Sequence, residues 1–238
     1  MTANNKQEIA YQILRTRIEE SQYAPSQRLV IDALSRELGI SQAPIREAIR
    51  RLEAEGLVLY SANSGPIVAP ASRDQWFQLM ELLAVLEGYA TAAAAEHIGA
   101  AEIKALRKIN DGLQAALHDL DLPKWSDKNR EFHRLIHSRC ENKPLVEEIV
   151  RTLQRSDTVS RMAFARERGV IIHTLGIKTG RATIEKHEEI ITAFVDKAQA
   201  SWIERITREH VLDPVKQVRQ SLDRARLSKG PAELDLLA

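Results

Sequence analysis

Cysteine is almost missing from this sequence of 238 residues, which has only Cys140. A single cysteine cannot form an internal disulfide or a cluster of thiolate zinc ligands, so we expect Cys140 to be a small, buried packing residue in a reducing compartment. The first residues do not show the cationic and then apolar pattern of a secretory signal, and no apolar run is long enough to cross a bilayer. These absences predict a cytoplasmic protein without a membrane partner.

Aromatic residues and net charge are also low, at 5% of the sequence and +1. Few aromatic residues beside abundant alanine, leucine and glutamate favour aliphatic helices over sheets. A net charge near zero excludes attraction to nucleic acid by the overall field, so any DNA binding must come from a local surface. Composition therefore predicts a mainly α protein of one or two domains.

The pattern of residues changes near Val68 to Asp74, where proline and small residues separate two kinds of segment. We interpret this change as a domain boundary. It predicts an N-terminal domain over residues 1–70, a helical domain over residues 71–228 and a frayed tail over residues 229–238.

The first domain contains two short helical patterns joined by a glycine, within "LSRELGISQAPIREAIRRLEAEGLV". Gly39 suits the left-handed end of one helix, and Ser41 suits the N-cap of the next, which we expect to begin at about Gln42. An earlier helix is predicted from the apolar spacing of Ile9, Ile13, Leu14 and Ile18. The run "LVLYSANSGPIVAP" then has the pattern of a small β-hairpin. This order is that of a winged helix-turn-helix, a fold that presents its second helix to the major groove of DNA.

The helix beginning near Gln42 has two different faces. Ile45, Ile49 and Leu52 repeat on one face, which predicts burial, whereas Gln42, Arg46 and Arg50 lie on another. An arginine can bind guanine and a glutamine can bind adenine through paired hydrogen bonds. We therefore expect Arg46 and Gln42 to contact bases, and Arg50 to contact phosphate.

The N-terminal segment resembles the GntR family of transcriptional regulators. The resemblance is carried by the stretch quoted above, by "IAYQILRTRIEE" before it and by "NSGPIVAP" after it. It implies DNA contacts by Ser41, Gln42, Ala43 and Arg46, and a wing tip at Ser64 and Gly65 that approaches the minor groove. Two positions depart from the family, because relatives often have arginine in place of Gln42, and some have arginine in place of Asp32.

The rest of the chain repeats the apolar spacing of about six helices, and its candidate chemistry is histidine. Asn129 and His133 are four residues apart and share a helical face, while His187 and His210 lie on later helices. Spacing alone is a weak indication of a metal site. We expect His137 to lie at a rim or in solvent, and His173 to lie in a glycine-rich loop.

This second segment is similar to the ligand-binding FCD domain of the FadR-like branch of GntR regulators. The resemblance implies that His133, His187 and His210 bind a divalent metal, commonly zinc or nickel, beneath a small carboxylate effector. Asn129 stands where the family has an aspartate ligand, which predicts weaker metal binding but more positive charge toward an anion. Leu83 stands where relatives often have an arginine for the effector, so we expect a more apolar effector or one held through the metal.

Together these patterns predict a homodimeric, sequence-specific DNA-binding regulator rather than an enzyme. We expect a repressor that binds a pseudo-palindromic operator and responds to a small organic acid through a change of conformation transmitted near Trp76 and Pro70. One alternative is a DNA-binding dimer whose helical domain only dimerises and binds no metal. A remote alternative is a metal-dependent hydrolase, although the sequence has neither an "HExxH" motif nor a clear carboxylate pair.

Overall fold

The computed structural model describes residues 3–20, 22–61, 65–164 and 179–228. In this part of the chain, nine α-helices and one β-hairpin are present, which confirms the predicted mainly α class. The predicted wing-tip residue Ser64, the predicted loop containing His173 and the predicted tail over residues 229–238 lie outside the described residues.

The N-terminal elements follow the predicted order of a winged helix-turn-helix. They are α1 (Ala3–Glu19), α2 (Ile31–Leu38), α3 (Gln42–Ala54), β1 (Val58–Ser61) and β2 (Gly65–Val68). The strands pair antiparallel, from Val58 opposite Val68 to Ser61 opposite Gly65. The segment before α2 extends this sheet, since Leu29 donates its backbone N–H to the carbonyl of Pro66 at 2.8 Å.

A continuous apolar core joins these elements. Each of α1, α2, α3 and the hairpin contributes to it, with Leu14, Leu34, Ile49 and Val68 as representatives. The buried face of α1 is displaced from the predicted one, because Ile9 is 36% exposed while Tyr11 is buried. Tyr11 fits this interior because its ring packs in the core and its hydroxyl donates to the carboxylate of Glu55.

Six further helices follow in the described part of the chain, where about six were predicted. They are α4 (Arg73–Ala94), α5 (Ala100–His118), α6 (Leu122–Ser138), α7 (Lys143–Ala163), α8 (Gly180–Val195) and α9 (Ala200–Ser228), and a 3₁₀ turn over Ala95–His97 follows α4. Helix α5 packs against α6 and α8, and α8 packs against α9. Cys140, at the turn between α6 and α7, is buried and free, in agreement with its predicted packing role.

Contacts divide the chain into two compact units. One comprises Met1–Leu79 and Leu153–Arg166, and the other comprises Met80–Thr152 and Glu167–Ala238. The winged helix-turn-helix lies in the first unit, and the three histidines predicted to bind metal lie in the second. Among the described helices, none combines the length and the apolar character needed to cross a membrane.

Candidate functional site

The turn between α2 and α3 sets the position of the polar face of α3. Gly39 ends α2 with a φ of 62°, a left-handed conformation that glycine adopts without a steric penalty. Ser41 then takes the extended backbone of an N-cap, and α3 begins at Gln42, as predicted. The Ser41 side chain makes no capping hydrogen bond within the described residues. Its hydroxyl therefore remains available at the start of the helix.

All five residues of this region that were predicted to bind DNA are exposed, namely Ser41, Gln42, Ala43, Arg46 and Arg50. On the opposite face, Ile45, Ile49 and Leu52 are fully buried. Arg46 donates to the amide oxygen of Gln42 at 3.2 Å, and the Gln42 amide nitrogen donates to Asp32 at 2.7 Å. The Arg50 guanidinium lies 2.6 Å from Glu47 one turn earlier. The helix thus presents a polar surface that is suited to base edges and phosphates.

The third arginine of α3, Arg51, has a different position. Its guanidinium lies over the Tyr11 ring, 3.6 Å from the centroid, and donates to Glu8 of α1 at 2.8 Å. Arg51 therefore ties α3 to α1 inside the domain, and only Arg46 and Arg50 are directed away from it.

The hairpin forms the predicted wing. Gly65 begins β2 with a φ of 70°, so a side chain at this position would strain the backbone. The conformation explains why glycine occupies this end of the wing. The predicted contact of Gly65 with DNA stays a prediction.

The second unit brings together three histidines from three helices. His133 of α6, His187 of α8 and His210 of α9 each have a ring nitrogen within 4.8 Å of the others. Nε2 of His210 lies 3.1 Å from Nε2 of His133, and Nε2 of His187 is buried without a hydrogen-bond partner among the described residues. These nitrogens converge as ligands of one ion would, and imidazole is a common ligand of divalent transition metals.

Two further residues lie against the imidazole rings, and neither was predicted from the sequence. Oε2 of Glu87, on α4, lies 3.0 Å from Nδ1 of His133. Asn110 of α5 donates to the carbonyl of Ile184 at 3.1 Å and so directs its own oxygen to Nδ1 of His187, at 3.3 Å. An amide oxygen only accepts, and hence Nδ1 of His187 carries the proton and Nε2 keeps a free lone pair. Such outer partners normally fix the tautomer of a metal-binding histidine.

The interior position of the cluster changes the proton affinity of its members. Burial lowers the pKa of His187 well below the ordinary value, and burial with the nearby His133 lowers that of His210 to about 3. Glu87 is also buried, which opposes its ionisation, but the facing histidines outweigh burial and lower its pKa to about 2. At neutral pH the His187 and His210 imidazoles are therefore neutral and can bind a metal, and the Glu87 carboxylate lies behind the cluster.

Asn129 is suited to be a further ligand of such an ion. Its side-chain oxygen is buried and has no hydrogen-bond partner among the described residues. It lies one turn before His133 on α6, as the sequence predicted. A buried carbonyl-type oxygen without a partner is costly, and coordination to a cation would remove that cost.

The prediction for His137 is wrong. Its side chain is buried rather than at a rim, because α6 directs it to the same interior as His133 one turn earlier. Its pKa is lowered by burial. Together with Glu87 and His133 it forms a second group of mutually close ligand atoms, so the polar interior extends beyond the three predicted histidines.

Both parts of the chain match known protein families. Residues 78–213 match the FCD domain, and residues 6–68 match the bacterial regulatory proteins of the gntR family. The chain belongs to the GntR family. It is thus a transcription regulator rather than an enzyme, since its domains and relatives are regulatory proteins. As a member of this family it is a DNA-binding protein of a kind that usually forms dimers.

Relatives agree with this assignment, and solved structures are similar in fold. The GntR-family chain is 23% identical to the HTH-type transcriptional repressor GlaR of Escherichia coli over 218 residues, which cover 89% of this chain and 95% of GlaR. It is 29% identical to an HTH-type transcriptional regulator of Agrobacterium vitis over 53% of this chain and 76% of the relative. In fold it is similar to the structure reported for Lar, which controls the agr system of Listeria monocytogenes, with a TM-score of 0.68, 21% identity and coverage of 90% and 96%. The structure of McbR from Escherichia coli is also similar, with a TM-score of 0.61, 20% identity and coverage of 91% and 98%.

Proposed function

We propose that this regulator is a repressor that binds a pseudo-palindromic DNA operator as a homodimer. The observation that carries this proposal is the exposed polar face of α3, with Gln42 and Arg46 side by side at its start. Two such helices related by a two-fold axis would recognise two half-sites at a set spacing. The sign of regulation is inferred from the similarity to GlaR, which is described as a repressor.

The exposed surface of α4 supports a dimer. Leu82, Val85 and Tyr89 are 41%, 44% and 55% exposed and repeat at intervals of three and four residues. This spacing places them on one side of the helix, where they form an apolar stripe. Covering such a stripe with a second copy would remove apolar surface from water.

We also propose that a small organic acid bound next to a divalent metal in the FCD domain controls DNA binding. The three histidines and Asn129 would hold the ion, with zinc or nickel preferred because imidazole suits both. An ion held by neutral ligands keeps positive charge for a carboxylate. Leu83, by contrast, is buried and provides no cation for the effector. Differential binding of the acid to two conformations would change operator affinity.

One observation favours a second candidate, a dimer whose FCD domain holds no metal. The Nε2 atoms of His133 and His210 are 3.1 Å apart, which is a distance at which two imidazoles can share a proton without an ion. In this case the histidines would be packing residues of the bundle.

Metal analysis separates the two candidates. Full-length protein without a histidine tag should contain about one divalent ion per chain after dialysis against zinc or nickel, because the site has one set of three converging nitrogens. His187→Ala and His210→Ala should lose this ion, whereas His118→Ala, at an exposed position, should keep it. Equal metal content in all four proteins would contradict the metal site. If the histidines bind the ion, a thermal-shift screen of organic acids with and without chelator should identify acids that stabilise only the metal-loaded protein.

The DNA part is tested by selection from a random duplex library. The wild-type chain should enrich sequences with two related half-sites, and it should bind them more tightly than unselected duplex over a range of salt. Failure to enrich any sequence would contradict operator recognition by α3.

A further inference from the structure

Asp32 is an acidic residue placed directly beside the polar face of α3. It lies in the first turn of α2, is exposed, and accepts a hydrogen bond from the Gln42 side-chain nitrogen at 2.7 Å. The Gln42 oxygen in turn accepts from Arg46 at 3.2 Å. The three side chains therefore form one hydrogen-bonded row, from Asp32 through Gln42 to Arg46.

This row determines which way the Gln42 amide points. If the amide were reversed, its oxygen would face the Asp32 carboxylate and its NH₂ group would face the Arg46 guanidinium. The first contact would then place two acceptors together and the second would place two donors together, so neither could form a hydrogen bond. In the observed orientation, one N–H and one lone pair of Gln42 are used. One N–H and one lone pair of this exposed side chain remain for a donor and acceptor pair outside the protein. Adenine presents the complementary acceptor N7 and donor N6 in the major groove.

The negative charge of Asp32 has a separate effect. A carboxylate near the DNA-facing surface repels phosphates of every sequence, so it lowers affinity without distinguishing one base from another. Orientation of Gln42 affects only the base that Gln42 contacts. The two effects can therefore be separated by a variant that keeps the acceptor oxygen and removes the charge.

We propose that Asp32 is a specificity-determining residue, which holds Gln42 in the orientation that selects adenine within each half-site. This inference rests on the proposed role of α3 as the recognition helix. Asp32 itself contacts no base. It is a positioning residue that acts through Gln42 and lowers overall affinity in return for discrimination at one base pair.

The test uses the full-length chain and a duplex selected by the wild type from a random library. The base pair recognised by Gln42 is identified as the one at which Gln42→Ala loses its preference, and duplexes with each of the four base pairs at that position serve as probes. Binding constants are then measured for wild type, Asp32→Asn and Asp32→Ala. Melting curves followed by circular dichroism check that the variants fold.

Asp32→Asn keeps an oxygen that accepts from Gln42, so it should retain the adenine preference within about twofold while binding all four duplexes more tightly at low salt. Asp32→Ala should also bind all four more tightly, but its preference for adenine should fall by about fivefold or more, toward the level of Gln42→Ala.

An unchanged preference in Asp32→Ala would overturn the inference and leave operator recognition by α3 standing. Equal loss of preference in Asp32→Asn and Asp32→Ala would also overturn it, because the acceptor oxygen would then have no positioning role. If Gln42→Ala changed no base preference, or if the preferred base were not adenine, Gln42 would not act as proposed. A wild-type chain that enriched no sequence would contradict the proposed function itself.

Discussion

The exposed face of α3 and the interior of the FCD domain use polar side chains in opposite ways. On α3, Gln42, Arg46 and Arg50 extend into solvent from a helix whose other face is apolar. In the FCD domain, His187, His210 and Glu87 are enclosed by several helices. A polar group in water costs little free energy, whereas a buried one must find a partner. Substitutions on α3 should therefore change DNA binding with little effect on the free energy of unfolding, whereas substitutions in the interior should change both metal binding and stability.

The largest effect is expected from removing the interior ring that supports the histidines. Phe132 is fully buried and stacks on His187 with centroids 3.7 Å apart. Phe132→Ala should lower the free energy of unfolding by about 3 to 5 kcal/mol, as measured by urea titration in the presence of chelator. Val195→Ala, at a side chain that is 47% exposed, should change it by less than about 0.5 kcal/mol. A Phe132→Ala loss as small as the control would mean that the histidines lie in a loosely packed interior.

Arg46→Ala tests whether the exposed face of α3 acts in DNA binding without a role in stability. Loss of a paired base contact should reduce the preference for the selected operator over unselected duplex by about 5- to 150-fold, as measured by competition binding. Its melting temperature should stay close to that of the wild type, because Arg46 is exposed. Arg50→Ala is the matched control and should weaken operator and unselected duplex alike. Wild-type discrimination by Arg46→Ala would be incompatible with α3 as the recognition helix.

Glu87→Gln tests whether the interior carboxylate acts through His133. Glutamine has nearly the same size but lacks the charge that faces Nδ1 of His133. Metal affinity, measured by competition with a chromophoric chelator, should fall by about 10- to 100-fold. Glu188→Gln is a suitable control, because Glu188 follows His187 in sequence but pairs with Arg107 at the surface. Equal affinities for the two variants would remove Glu87 from the metal site.

The smallest effect expected per residue is the pH dependence of stability in the metal-free protein. His187 and His210 have pKa values lowered by burial, so the unfolded chain, with its ordinary value of 6.5, binds protons that the folded chain does not. The contribution of these two histidines to the free energy of unfolding is therefore present above pH 6.5 and is lost as the pH falls below that value. Each histidine should contribute less than about 1 kcal/mol of loss between pH 7 and pH 6.

Urea titration in chelator at the two pH values measures this loss, and His210→Gln should reduce it. His118→Ala should not, because His118 is exposed. A metal-free protein that gained stability on acidification would contradict the buried, neutral state of these histidines.

Much of the first domain could be predicted from local sequence. Gly39 and Ser41 mark the end of α2 and the start of α3, because a left-handed glycine and a polar N-cap act within a few residues. The exposure of Gln42 and Arg46 follows from helical periodicity alone. Their link to Asp32 could not be predicted in the same way, because it depends on how α2 packs against α3.

The interior site was predicted less completely. Resemblance to the FCD domain pointed to His133, His187 and His210, and the fold places their ring nitrogens close together. It did not reveal Glu87 or Asn110, which come from helices remote in sequence. A signal was available, since Glu87 interrupts the most apolar run of the chain and Asn110 lies among the apolar residues of α5. The burial of His137 was missed because its spacing from His133 does not show how far the enclosed face of α6 extends.

The helical class, the order of the winged helix-turn-helix and the polar face of α3 follow from the sequence alone, because caps and periodicity act over a few residues. The packing of the helices is needed to know which side chains meet in the FCD domain, which nitrogen of His187 faces Asn110 and how strongly burial lowers the pKa of His210. These properties depend on contacts between helices and on exclusion of water, and both arise only when remote segments pack together.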